Sequence, residues 1–93
     1  MQIVFDPNKS QRNEILRNLP FDLMRQFDWQ TAVIWQDTRI NYPEPRFIAL
    51  GLIGERVYAA CFTPTPQGTR IISFRKANKR EIKKYENQRH TII

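Results

Sequence analysis

Residues 46–75 read RFIALGLIGERVYAACFTPTPQGTRIISFR and contain three β-prone runs in close succession. Arg46 to Ile53 (RFIALGLI) is apolar at both phases of the strand period, which marks a strand covered on both faces and central in its sheet. Gly54-Glu55 is a turn signal, so Arg56 to Thr63 (RVYAACFT) returns as a hairpin partner. Pro64-Thr65-Pro66-Gln67-Gly68 closes that strand, and Thr69 to Arg75 (TRIISFR) forms the last one. Connections this short join antiparallel neighbours.

Upstream, Thr31 to Gln36 (TAVIWQ) reads as a further strand, rich in β-branched and aromatic residues. The loop Asn41-Tyr42-Pro43-Glu44-Pro45 follows it, because two prolines break any ladder. Ile3-Val4-Phe5 is a short β-prone run ended by Asp6-Pro7. Asp caps a helix and Pro suits its first position, so a helix opens there and runs to about Arg17, with Asn18 fit for the left-handed residue past its end. Phe21, Met24 and Phe27, with Leu23, point to a second short helix. Downstream, Asn78 and Glu81 resemble a capping box. The helix they open has an apolar stripe of Ile82 and Tyr85, too narrow for burial, which places it on the surface or against a partner. The expected fold is α+β: an antiparallel four- to five-stranded sheet, two N-terminal helices and a C-terminal helix, all helices on one face.

The chain has 93 residues, which fits one domain over residues 1–93. Fifteen Lys and Arg against nine Asp and Glu leave a net charge of +6. The first half is nearly balanced; the excess sits mainly between Arg70 and Arg89, where Glu81 and Glu86 are the only acids. A basic stripe of this kind favours a polyanionic partner. The single Cys61 excludes an intramolecular disulfide and a multi-cysteine zinc site. No apolar run approaches the ~20 residues of a membrane helix, and no basic-then-apolar start marks a secretory signal. A reduced, cytoplasmic setting without membrane contact is expected.

There is no glycine-rich phosphate loop, HExxH, GxSxG or Cys-His metal spacing, and no cofactor is expected. Cys61 lies mid-strand among small and aromatic residues, which suits packing better than catalysis. His90, the only imidazole, follows the last strong helical residues and lacks a rigid mount. The informative segment is Thr69 to Tyr85. Alternation sends Ile71, Ser73 and Arg75 one way and Arg70, Ile72 and Phe74 the other, so two guanidinium groups bracket the strand. Lys76, Lys79 and Arg80 carry the charge into the helix. Phe74 reads as core, whereas Tyr85 can cover the helix with its hydroxyl wet.

These residues carry a resemblance. Phe5-Asp6 with Lys9 and Asn13, Phe21 to Phe27, Arg46-Phe47 with Gly51, and Arg70-Ile71-Ile72-Ser73-x-Arg75-x-Ala77 followed by Arg80-Glu81 and Tyr85 resemble the BrnT family of type II toxins. The match spans nearly the whole chain. It departs at Asn18 and Pro20 and at Pro64 and Pro66, all in turn chemistry. The resemblance implies a RelE-like fold, metal-independent RNA cleavage by attack of a 2′-hydroxyl on the adjacent phosphate, and translation inhibition. It also implies a BrnA-like antitoxin that covers the basic face and through which alone the toxin meets DNA. For such chemistry Arg46, Arg70 and Arg75 would stabilise the developing charge, Arg75 above all. Glu44, just before the strand at Arg46, is the candidate base, since arginine stays charged. Ser73 would orient a phosphate or be an ordinary strand hydroxyl, and Lys76, Lys79, Arg80 and Tyr85 would hold RNA. Two other readings fit the same residues: a basic module that grips RNA or DNA without cutting, and a surface that only docks an acidic partner.

Overall fold

The structure is a computed structural model that describes residues 1–91, with side chains as far as Gln88; the His90 side chain lies outside the described set. In chain order it holds β1 (Ile3–Val4), α1 (Pro7–Arg17), a 3-10 turn (Phe21–Gln26), β2 (Val33–Gln36), β3 (Phe47–Ile53), β4 (Arg56–Thr65), β5 (Gly68–Lys76) and α2 (Lys79–Thr91).

Local chemistry accounts for most of these boundaries. Asp6 caps α1 by accepting from the Asn8 N–H at 2.9 Å, Pro7 opens the helix, and Asn18 ends it in the left-handed region at φ 58°. Asn78 and Glu81 form the reciprocal capping box at α2, each backbone N–H donating to the other's side chain at 2.9 Å. The segment read as a second helix is instead a 3-10 turn. Phe21, Met24 and Phe27 repeat every three residues, and three is the period of that tighter coil, which lets one edge carry all the apolar groups into the core.

The five strands form one sheet in the order β1-β5-β4-β3-β2. β2 to β5 are an antiparallel meander, as the two-residue links after β3 and β4 require for the last three strands. β1 pairs parallel with β5, Ile3 against Thr69 and Val4 against Arg70, so the sheet is mixed and not antiparallel. β1 takes β5's free edge in the parallel sense. Close approach there depends on Gly68: a Cβ at that position would lie 2.5 Å from the Gln2 carbonyl oxygen. The Thr69 N–H donates to that oxygen at 2.8 Å and so turns away from β4. Thr69 pairs across β4 with Pro64, which has no N–H to offer, so Pro64 is accommodated inside a strand that extends to Thr65.

Helices cover both faces of the sheet, a second departure from expectation. On one face the 3-10 turn packs Phe21, Met24 and Phe27 against Ala49, Ala60, Phe62, Ile71 and Phe74. On the other, α2 lays Tyr85 and Ile82 against Val33, Leu50, Val57, Ala59 and Ala77. Tyr85 is 3 % exposed, so α2 is a packed element although its stripe is narrow; small residues at 59 and 77 let it approach closely. β3 is buried from Ala49 to Gly51, as its two-sided apolar pattern requires. At Gly51 a Cβ would fall 2.5 Å from Cζ of Phe27. Gly51→Ala is therefore expected to destabilise by about 1–3 kcal/mol, since the ring is held on all sides. A thermal midpoint within 1 °C of the parent would contradict this packing.

Candidate functional site

Residues paired across antiparallel strands share a face, and such rows repeat about every 7 Å. On the α2 side the registers give one row of Val33, Leu50, Ala59 and Arg75 and a second of Trp35, Ile48, Cys61 and Ser73. A third row begins where the Asp37 N–H donates to the Arg46 carbonyl at 2.7 Å and continues through Thr63 to Arg70, which pair directly. The Thr63 hydroxyl donates to the Pro45 carbonyl at 2.6 Å and ties the loop before β3 to β4.

The presence of Arg70 in this row corrects the alternation read from sequence. Between Cys61 and Phe62 the register shifts: Cys61 faces Ser73 but Phe62 faces Ile71, so Ile72 is an extra residue. A bulge of this kind resets the alternation and turns the residues beyond it to the other side. Arg70 therefore shares a face with Ser73 and Arg75 instead of opposing them. Lys76 goes the other way. It pairs with Tyr58, which packs with the first core, so it lies off the face that carries the arginines.

α2 covers the first row and leaves the second and third less enclosed. Ile48 and Cys61 are half-buried there, and Trp35 forms the third part of the floor, with the Lys84 ammonium 3.6 Å from its ring centroid. A cleft of about 290 Å³ is lined by Trp35, Ile48, Arg39, Arg75 and Glu81, and a neighbouring one of about 340 Å³ by Arg39, Tyr42, Glu44 and Arg46. Burial pushes the Cys61 thiol above its ordinary value, which keeps it protonated and suits it to a floor.

Each cation is held differently. Arg75 donates to both oxygens of Glu81, Nη1 at 2.7 Å and Nη2 at 2.9 Å, so the carboxylate that caps α2 also orients the guanidinium. Arg46 lies with its guanidinium carbon 4.3 Å from the Tyr42 ring centroid and its Nη2 3.7 Å from a Glu44 oxygen. Its Nε–H is buried and has no acceptor among the described residues. Lys79 and Arg80 are exposed on the first turn of α2. Tyr85 sits in the second core, because its ring is the largest apolar group α2 has to bury; that correction removes it from the exposed groove.

Sequence reading passed over the Asp37 cluster. Asp37 accepts from Nε and Nη2 of Arg39, each at 2.9 Å, and from the Tyr42 hydroxyl at 3.0 Å. The Arg39 hydrogen bonds hold its carboxyl well below the usual range, and the Arg39 guanidinium is raised in turn. Asp37 is a fixed anion that shapes the loop and presents Arg39 beside Trp35. The signal available in sequence was an Asp-x-Arg at a strand end followed by a Tyr before a proline.

Glu81 is likewise lowered, first by the hydrogen bonds from Arg75. A carboxyl lowered in the folded state adds stability that is complete above its unfolded value, about 4.5, and is lost as pH falls through the folded one. Thermal midpoints of the parent and of Glu81→Gln are therefore expected to differ by about 4–8 °C at pH 7, for a pair worth about 1 kcal/mol at this exposure. The gap should narrow as pH falls below about 4.5. A gap that stays constant across that range would show that the ion pair adds no stability.

A family model described as the ribonuclease toxin, BrnT, of type II toxin-antitoxin systems matches residues 5–81. Comparison with curated proteins and with solved structures gives no match. The matched span contains Arg46, Arg70, Ser73, Arg75 and Glu81, and with them the bulge that sets Arg70 on the same face as Arg75. The chain belongs to the BrnT family of ribonuclease toxins of type II toxin-antitoxin systems.

Proposed function

We propose that this chain is a metal-independent endoribonuclease that cuts cellular RNA in the cytoplasm, inhibits translation and is neutralised by a BrnA-like antitoxin. The observation that carries the reading is the arrangement of Arg46, Arg70 and Arg75 around the floor of Trp35, Ile48 and Cys61, on one face of the sheet. Arginines present planar donor forks to phosphate oxygens, and an aromatic floor between them suits an unpaired base.

In the reaction, the 2′-oxygen attacks the adjacent phosphorus, its proton passes to a base, and the bond to the 5′-oxygen breaks as that oxygen is protonated. The products carry a 2′,3′-cyclic phosphate and a 5′-hydroxyl. Arg46, Arg70 and Arg75 stabilise the extra charge of the phosphorane, and Ser73 donates a hydrogen bond to a phosphate oxygen. Glu44 takes the proton, held near the site by Arg46. Lys79 and Arg80 attract the flanking backbone. DNA is reached only through the antitoxin.

A second reading, binding without cutting, draws on the carboxylates. Asp37 and Glu81 accept short hydrogen bonds from arginines, which leaves Glu44, 3.7 Å from Arg46, as the more loosely held acceptor by this face among the described residues. Incubating purified chain, free of antitoxin, with RNA and a chelator separates the readings. Fragments ending in cyclic phosphate are expected. RNA that is bound but intact at every protein concentration would exclude the nuclease.

A further inference from the structure

We propose that the outward face of α1 is the docking site for an amphipathic helix of a partner protein, apolar along its centre and rimmed by Asp and Glu. α1 is built inside out. Its one fully buried residue is Ser10, whose hydroxyl accepts from the Phe21 N–H at 2.8 Å. Asn13 completes the attachment by donating to the carbonyls of Leu19 at 2.7 Å and Phe74 at 2.9 Å. The apolar residues point the other way: Ile15 is 76 % exposed and Leu16 74 %.

Single exposed apolar residues are ordinary on protein surfaces, but here the usual pattern of a helix is inverted. Asn8, Gln11, Arg12, Ile15 and Leu16 follow the i, i+3, i+4, i+7, i+8 spacing of a packing stripe and line a shallow groove of about 360 Å³. An eleven-residue helix is marginal in isolation, and this one is anchored through the hydrogen bonds of Ser10 and Asn13. Its stripe has the form of half an interface.

Charge selects the occupant. Arg12 lies within the stripe and Lys9 beside Leu16, whereas Arg17 and Glu14, the sole acid of the helix, lie on the Ser10 side. A second copy would set Lys9 and Arg12 against their own equivalents, between chains that each carry +6. An acidic rim would instead complement them and hasten encounter. RNA would find cations here but an apolar centre with no aromatic ring to stack on. Because α1 is tied to the 3-10 turn and α2 packs on the opposite side of the sheet, a helix bound here leaves the arginine face accessible to the rest of the same partner. The partner we assign is the antitoxin, and that assignment rests on the toxin reading above.

The test uses the full chain and its full antitoxin, with affinity measured by calorimetry. Ile15→Asp/Leu16→Asp is expected to weaken the complex at least 100-fold, and Ile15→Ala/Leu16→Ala, which adds no charge and favours helix, about 10-fold. Lys9→Glu/Arg12→Glu should weaken it more at 50 mM salt than at 500 mM. Thermal midpoints and RNA cleavage should stay at parental values in the alanine variant. Affinities within twofold of the parent in both Ile15/Leu16 variants would overturn the proposal. So would a parental dimer that these variants abolish, or a loss of RNA binding with the antitoxin complex intact. A parent that does not bind the antitoxin overturns it too, while the cleavage assay decides the nuclease reading separately.

Discussion

Arg46→Ala and Arg75→Ala are each expected to lower the rate of RNA cleavage by about 10²–10³-fold, with RNA affinity changed far less. The loss corresponds to about 3–4 kcal/mol of transition-state stabilisation, the size found when one fixed donor to a developing oxyanion is removed. Both side chains are rigidly mounted: Arg75 is clamped by Glu81, and Arg46 is stacked on Tyr42 at the start of β3. Lys83→Ala and Lys84→Ala, on the exposed side of α2, should instead act mainly on affinity and on its salt dependence. Equal losses across all four variants would argue against a localised site. Glu81→Gln separates two roles for Arg75. With Arg75 acting on the phosphate, loosening its mount by Glu81→Gln should lower the rate less than Arg75→Ala does; equal losses would mean that Arg75 only anchors α2.

Phe74→Ala should have the largest effect on folding. Phe74 is 1 % exposed, packs 5.5 Å from the Tyr58 ring centroid and belongs to the core beneath the 3-10 turn. Removing a buried ring destabilises by about 3–5 kcal/mol through lost transfer energy and a residual cavity. A chain of this size has about 5–14 kcal/mol in total, so the variant should unfold at much lower denaturant concentration. Ile15→Ala, at 76 % exposure, should stay within about 0.5 kcal/mol of the parent. A Phe74→Ala loss below 1 kcal/mol would mean that the core is arranged differently.

Arg46, Arg70, Ser73 and Arg75 were all legible as candidates, because basic residues on β-prone segments stand out in composition and pattern. Their grouping was not. The period of two places Arg70 opposite Arg75, and the bulge at Ile72 reverses that. Whether a strand bulges depends on the register of its partner, which no local pattern carries. Trp35 and the Asp37–Arg39–Tyr42 cluster were missed for a related reason. They acquire meaning only when β2 lies beside β3 and brings them to Arg46.

By itself the sequence determined what a few neighbouring residues can settle. It set the caps of α1 and α2, the Gly54-Glu55 hairpin, the two-sided burial of β3, the placement of charge in the second half, and a motif order that resembles the BrnT family. The tertiary structure alone decided the parallel β1, the helices on opposite faces, the shared face of the three arginines, and the outward turn of Ile15 and Leu16. The physical reason is range. Capping, turn geometry and side-chain period arise from contacts within about four residues, whereas register and face are set by distant partners, 66 residues apart between Ile3 and Thr69 and 61 between Asn13 and Phe74.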